Sequence, residues 1–424
     1  MGFFWAIFIL LIACQTPPSQ LPPLQDPLQD TAQKRGAAEP GTSPAPENVP
    51  PAVPPESDHS LPNTEQGSSS ERIPSGTENH RQQRTSIEFP TGEEKEKLPS
   101  CNNTFFTHAP VDLGVINEIT PLGNLGPPGH TFPTEHTFIH LHSGGSSSVV
   151  YPLSAPADIF ITSMSKGVGF TQDPVDYTIY FALCKEVIGY HNHVKELSPE
   201  LEQIFASGKC NWNPGDSKYT YCENSLNLVK AGSLLGKVGG LQGNFDLGMI
   251  DTRETLLFAN PSRYGMRSLH IQCPYDYYVP DLKAKLLGFI KRTDSEKCGT
   301  VAQDILGTLQ GNWFFGEARA DMGSDWNKYL AFVNDNTNPS LQVISIGGQF
   351  TNAGMWTFSP ETSGAVNRDF SQVKPGEEMY CYHSEGQQGK ILVKLTSATE
   401  LQIEKQEGSC SGQMTFRNPT KYGR

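Results

Sequence analysis

The chain is short of apolar residues and of positive charge. Only 36% of its 424 residues are hydrophobic. That is low for a wholly globular chain, and the shortfall lies at the N-terminal end, which argues for a disordered arm and not for a weak core. Lys and Arg number 32 against 45 Asp and Glu, a formal net charge of −13. No basic run of five or more residues occurs. A phosphate backbone requires a basic footprint, so nucleic acid is set aside as a partner. No apolar run reaches the roughly 20 residues of a membrane-spanning helix. No C-x-x-C pair is present, which argues against zinc held by cysteine. A P-loop, a dinucleotide fingerprint and a serine nucleophile elbow are missing as well.

What is present begins with an unbroken apolar stretch from Phe3 to Ala13, the right length for the hydrophobic region of a signal peptide. No Lys or Arg precedes it, so the α-amino group alone supplies positive charge there. Leu11-Ile12-Ala13-Cys14 resembles a bacterial lipobox. On that resemblance residues 1–13 are a signal peptide and Cys14 is the lipidated first residue of the mature chain. Gln15 follows, with no Asp at that position, so the resemblance implies an exported, membrane-anchored lipoprotein of the outer membrane or cell surface. From 14 to 99 the chain reads as a disordered Pro-rich linker. It holds sixteen of the 33 prolines, and Phe89 is its only aromatic. Such a segment cannot bury enough apolar surface to offset its ordering entropy, and its prolines keep it extended.

Without Cys14, eight cysteines remain: Cys101, Cys184, Cys210, Cys222, Cys273, Cys298, Cys381 and Cys410. An even number in an exported chain suggests four disulfides, for which sequence alone allows 105 pairings. Proximity favours Cys210–Cys222, Cys273–Cys298 and Cys381–Cys410, which leaves Cys101–Cys184. Asn102-Asn103-Thr104 is a glycosylation acceptor pattern, meaningful only in a eukaryotic chain.

Two β-rich domains follow. In 100–298 short apolar runs are broken by Gly and Pro. Tyr177 to Leu183, β-branched and aromatic, reads as a central strand. Helices are predicted at Pro199–Ala206 and Asp281–Lys291. In 299–424, strands are predicted at Tyr329–Asn334, Leu341–Ile346, Met355–Phe358, Met379–His383, Ile391–Leu395, Glu400–Glu404 and Gln413–Phe416. Turn residues at short intervals suggest a meander closed into an antiparallel β-barrel or sandwich. Its opening Gly311-Asn312-Trp313 is similar to that of lipocalin-like barrels, and a cavity lined by Trp313, Phe332 and Trp356 would suit a small apolar ligand. The aromatic cluster Cys273-Pro-Tyr-Asp-Tyr-Tyr278 either lines a sugar site or fills space between the domains.

Four pieces of the first domain stand in one order: a His-rich stretch from Gly129-His130 through His136-Thr-Phe-Ile-His140-Leu-His142; Ser154-Ala-Pro-Ala-Asp158; Gly189-Tyr-His-Asn-His193-Val194; and Val229-Lys-Ala-Gly232 with Leu235-Gly236-Lys-Val-Gly239. Together they resemble LytM/lysostaphin-type zinc metallopeptidases over roughly 129–258. The resemblance implies a LytM-like β-sheet domain. It also implies a zinc site built from an H-x-x-x-D motif and the second His of a late H-x-H. Three protein ligands and an open position would activate a water for peptide hydrolysis. In this chain His136-x-x-x-His140 has His in place of Asp, and the late motif has become Asp246-Leu247-Gly248. Gly248 has no side chain with which to hold a metal.

Two readings therefore stand side by side. In one, His136, His140 and Asp246 form an altered zinc site, with His193 as acid/base, in a divergent endopeptidase acting on peptidoglycan or peptide cross-links. In the other the metal site is lost, no cofactor is needed, and a peptidase-like groove binds cell-envelope glycan, peptidoglycan or an envelope protein without catalysis. A replaced ligand usually abolishes catalysis, so the second is the expectation, on a mostly β chain preceded by a Pro-rich tether.

Overall fold

A computed structural model describes residues 90–101, 106–142, 146, 148–167, 175–212, 219–320 and 323–424. Cys14, the signal-like stretch, most of the Pro-rich segment and Asn102-Asn103-Thr104 lie outside these residues. Both described domains belong to one compact unit, Ser75–Arg424, and both are mostly β, as the turn-punctuated pattern requires. The ordered body starts before residue 100. A short helix, Gly92–Lys97, leads to Leu98, which is buried against Ala182 and Ile188, and Lys185 pairs with Glu96 at 2.6 Å.

The first sheet has a main path in the order Ile116–Thr120, Thr137–Leu141, Asn244–Asp251, Val187–Leu197, Asp176–Ala182, Ile159–Gly167, Tyr219–Val229, Lys209–Trp212, all antiparallel. Val150–Ser154 pairs with Leu234–Gly239, which also lies along Val187–Leu197. The strand Asn244–Asp251 is buried at every residue, because it is paired on both edges and covered on both faces. The turn at Asp158 is held to the Val229–Gly232 stretch by side chain and backbone. The carboxylate of Asp158 accepts the Ala231 N–H at 2.9 Å and pairs with Lys230 at 2.8 Å. Gly232 donates to Ala155 O. Two of the four motif pieces are thus one local structure.

The predicted helix at Pro199 is present as Pro199–Ser207, with the Ser198 hydroxyl accepting from Leu201 N, as an N-cap should. The other is shorter than predicted, Pro280–Leu287, and stops at Gly288. The cluster after Cys273 is core. Tyr275 and Tyr278 are buried, the Tyr275 hydroxyl meets Thr137 Oγ1 at 2.9 Å, and Phe106 packs edge-on to Tyr278.

The second sheet runs Gly354–Phe358, Gln342–Ile346, Tyr329–Asn334, Gly311–Phe314, Thr420–Gly423, Glu400–Gln406, Lys390–Ser397, Tyr380–Tyr382. It curls into a barrel-like form. Its two edges meet where the Ser384 hydroxyl bonds both Thr357 N and Thr357 O and Phe358 packs on Tyr382. Trp313, Phe332 and Trp356 are buried together in its core, so these rings fill the interior they were expected to line. Gln413–Phe416 is an exposed connection and not a strand; the chain returns to the sheet at Thr420–Gly423. Disulfides join Cys101–Cys184, Cys210–Cys222, Cys273–Cys298 and Cys381–Cys410.

Candidate functional site

A cleft of about 450 Å³ lies between the two sheets. The first domain supplies its floor, with His136, Asn192, His193, Asp246 and Arg267; the second supplies a wall with Val301, Asn312, Ala320, Trp326 and Tyr329. That wall is fixed to the first domain. Phe132 stacks on Tyr329 at 4.4 Å, and the Arg263 guanidinium donates to Gly316 O and Ala318 O.

The floor is built by strand register. Asp246 pairs with Asn192 on one side and with Phe138 on the other. Side chains on a strand alternate with period 2, so Asn192 and Tyr190 share the face of Asp246 and Gly248. His193 should then point away. It does not, because the strand bulges there: pairing to the neighbouring strands is irregular between Tyr177 and Ile179 and between Val194 and Glu196. His193 takes a φ of 62°, a left-handed conformation that costs a non-glycine residue of order 1–3 kcal/mol. A bulge re-aims a side chain in this way. Asn192 and His193, adjacent in sequence, both reach Asp246, while His191 goes to the core and is fully buried.

Asp246 is 0% exposed. Its Oδ2 lies 3.3 Å from His136 Nε2, 3.3 Å from His193 Nε2 and 3.1 Å from the Asn192 amide; Oδ1 has no hydrogen-bond partner among the described residues. The other ring nitrogen of His193 meets Asp176 Oδ2 at 3.1 Å. Burial opposes a charge on His193, but hydrogen bonds to Asp176 and Asp246 and their negative charges outweigh it and raise its pKa to about 10. His193 is therefore an imidazolium between two carboxylates. For Asp246 burial acts upward, yet the attraction of the His136 and His193 rings and the bonds from His193 and Asn192 hold it well below the usual carboxylate range.

His136 is the opposite case. Burial depresses its pKa to about 3, with Arg267 adding to the effect. Arg267 Nη2 lies 3.1 Å from His136 Nδ1. A guanidinium can only donate, so Nδ1 accepts and the ring proton sits on Nε2, facing Asp246. Arg267 also pairs with Glu135 at 3.1 Å and lies 4.3 Å over the Tyr190 ring. The Ser268 hydroxyl bonds Glu135, and the Tyr190 hydroxyl donates to Glu135 O.

The zinc set implied by the resemblance does not close around one ion. His136 and Asp246 are brought together, and His193 joins them, but His140 does not. Residues i and i+4 of a strand share a face yet stand roughly 13 Å apart at about 3.3 Å per residue, and Phe138 lies between the two rings. His140 instead meets Thr120 Oγ1 at 2.9 Å. Among the described residues, the group of three potential ligand residues with donor atoms within 4.8 Å is Cys101, Cys184 and Glu186, and those two sulfurs form a disulfide. At Gly248 the ring of Tyr190 occupies the space a side chain would need: a Cβ there would lie 2.1 Å from Tyr190 Cζ. The guanidinium on His136 also places a permanent positive charge where a second cation would be repelled.

Sequence reading found His136, His193 and Asp246 but missed Arg267, Glu135, Asp176, Tyr190 and Trp326. Arg267 sits on a five-residue helix, Met266–His270, too short to show a periodicity. No family model, curated protein or solved structure matches this chain.

Proposed function

We propose that this chain is an exported, lipid-anchored protein whose inter-domain cleft binds cell-envelope material or an envelope protein, on a peptidase-like scaffold that holds no metal and performs no catalysis. The observation that carries this reading is Gly248 packed under the Tyr190 ring. The resemblance to LytM-type peptidases needs a ligand at that position, and this chain has given the space to an aromatic side chain. The hydrogen bond from Arg267 to His136 supports it, since that nitrogen is engaged by a cation. Burying Asp246 beside His136 is costly unless it is paired, and such arrays are retained at functional clefts more often than elsewhere.

Sedimentation of the purified full-length protein with purified envelope sacculi tests the reading. Binding that is equal with and without a chelator, with no new peptide ends released, is the expected result. The spacing of 3.3 Å between His136 Nε2 and Asp246 Oδ2 also suits two ligands of one ion, which favours the second reading, a divergent zinc endopeptidase. Zinc-dependent release of peptide ends, lost in His136→Ala, would put that reading in place of the first.

A further inference from the structure

Trp326 is 48% exposed, unusual for the largest apolar side chain in a body whose other described large aromatics are mostly buried. It stands on a short 3-10 helix, Gly323–Lys328, whose end carries the Lys328–Asp325 ion pair at 2.7 Å. The ring borders the cleft beside Gly129: a Cβ at Gly129 would come within 3.9 Å of it, so glycine leaves that side of the ring uncovered. A half-exposed aromatic at the mouth of a cleft is a platform for a flat or apolar ligand face.

The cleft beneath it is polar but balanced. Two carboxylates that line it, Glu135 and Asp246, are set against two cations, Arg267 and His193, and each charge is already paired, His193 also with Asp176 behind the lining. A charged ligand would have to displace one of these pairs. Hydroxyl groups need not, since each can donate to a carboxylate and accept from a guanidinium or amide at once. The planar groups that remain accessible are suited to this. Arg267, Glu135 and His193 keep side-chain exposures of 28%, 25% and 22%, and all three line the cleft together with Asn192. Its volume of about 450 Å³ falls within the roughly 300–1,000 Å³ of small-molecule sites.

We propose that the ligand of this cleft is a neutral glycan, with a sugar ring stacked on Trp326 and its hydroxyls bonded to Glu135, Arg267 and Asn192. This rests on the binding reading above and names its ligand class; the second domain then contributes to recognition by carrying the aromatic platform.

The test is a screen of the full-length protein on an array of neutral and charged oligosaccharides and free envelope peptides, followed by calorimetry on the best neutral oligosaccharide. The expected result is binding of a neutral oligosaccharide that weakens by about tenfold or more in Trp326→Ala, as for a contact that carries much of an interface, and stays within roughly threefold in Trp326→Phe. Both variants should melt as the wild type does, since the side chain is half in solvent. Binding of peptides or charged glycans alone would overturn the glycan assignment and leave the binding reading in place. So would neutral-glycan binding that is indifferent to Trp326→Ala. Binding to nothing on the array and nothing in intact sacculi would overturn both.

Discussion

The two sheets of this molecule spend their interiors differently. The second curls around Trp313, Phe332, Trp356, Phe370 and Tyr382 and fills itself with apolar side chains. The first has an apolar side of its own, but one of its central strands also carries the buried Asp246 into an array with the buried His136 and the partly exposed His193, Asn192 and Arg267. An apolar core is sufficient to hold a sheet together. Burying charges is not needed for folding and is often no better than apolar packing of the same shape. On the proposed reading the first domain supplies the polar floor of the cleft and the second supplies its wall, with Trp326 at the mouth.

The largest effect should fall on the apolar side of this comparison. Trp313→Ala removes a fully buried ring whose Nε1 donates to Leu309 O and which stacks under the Arg424 guanidinium. A loss of about 3–5 kcal/mol is expected, read as a shifted urea midpoint, with the second sheet lost first. Next comes Gly248→Ala. The added Cβ would meet the Tyr190 ring at 2.1 Å, and overpacking of this kind costs typically about 1–3 kcal/mol or more. A neutral outcome would mean that Tyr190 moves freely and the position is open after all.

Asp246→Asn should cost about 1–3 kcal/mol and change the pH dependence of stability. His193 has its folded pKa raised to about 10 from an ordinary 6.5. Its contribution is complete below 6.5 and is lost as pH rises through 10. His136, lowered to about 3, and His191, lowered to about 4, mainly by burial, act the other way. Their contributions are present above 6.5 and are lost as pH falls towards 4 and 3. Stability should therefore peak near neutrality and decline on both sides. Thermal melts across pH should show the alkaline decline reduced in Asp246→Asn. An unchanged alkaline limb in that variant would contradict the imidazolium between two carboxylates. The smallest effect should come from Lys230→Ala. It removes an exposed ion pair with Asp158 but leaves the Ala231 N–H bond in place, so the change should stay below about 0.5 kcal/mol in the same melts.

Much of the fold was legible because turn residues punctuate it. The strands of the second sheet up to Glu400 and the helix at Pro199 follow directly from Gly, Pro and apolar alternation. Gln413–Phe416 misled because alternation alone does not say whether a partner edge is free, and here Thr420–Gly423 holds that place. The site was legible only in part. His136 and Asp246 stood out as chemical types, but their meeting depends on register between strands over a hundred residues apart. His193 reaches them only through a bulge that no composition rule announces. His140 shows the converse: a spacing that puts two histidines on one face of a strand also keeps them apart. Arg267 and Trp326 gave no signal, since each acts from a short turn placed by tertiary packing.

The measurement closest to the central claim is the zinc content of the purified full-length protein, by plasma mass spectrometry after incubation with excess zinc and removal of the unbound metal. Far less than one zinc per chain is predicted, with melting temperature unchanged by chelator. One zinc per chain, lost in His136→Ala and retained in His140→Ala, would contradict the account.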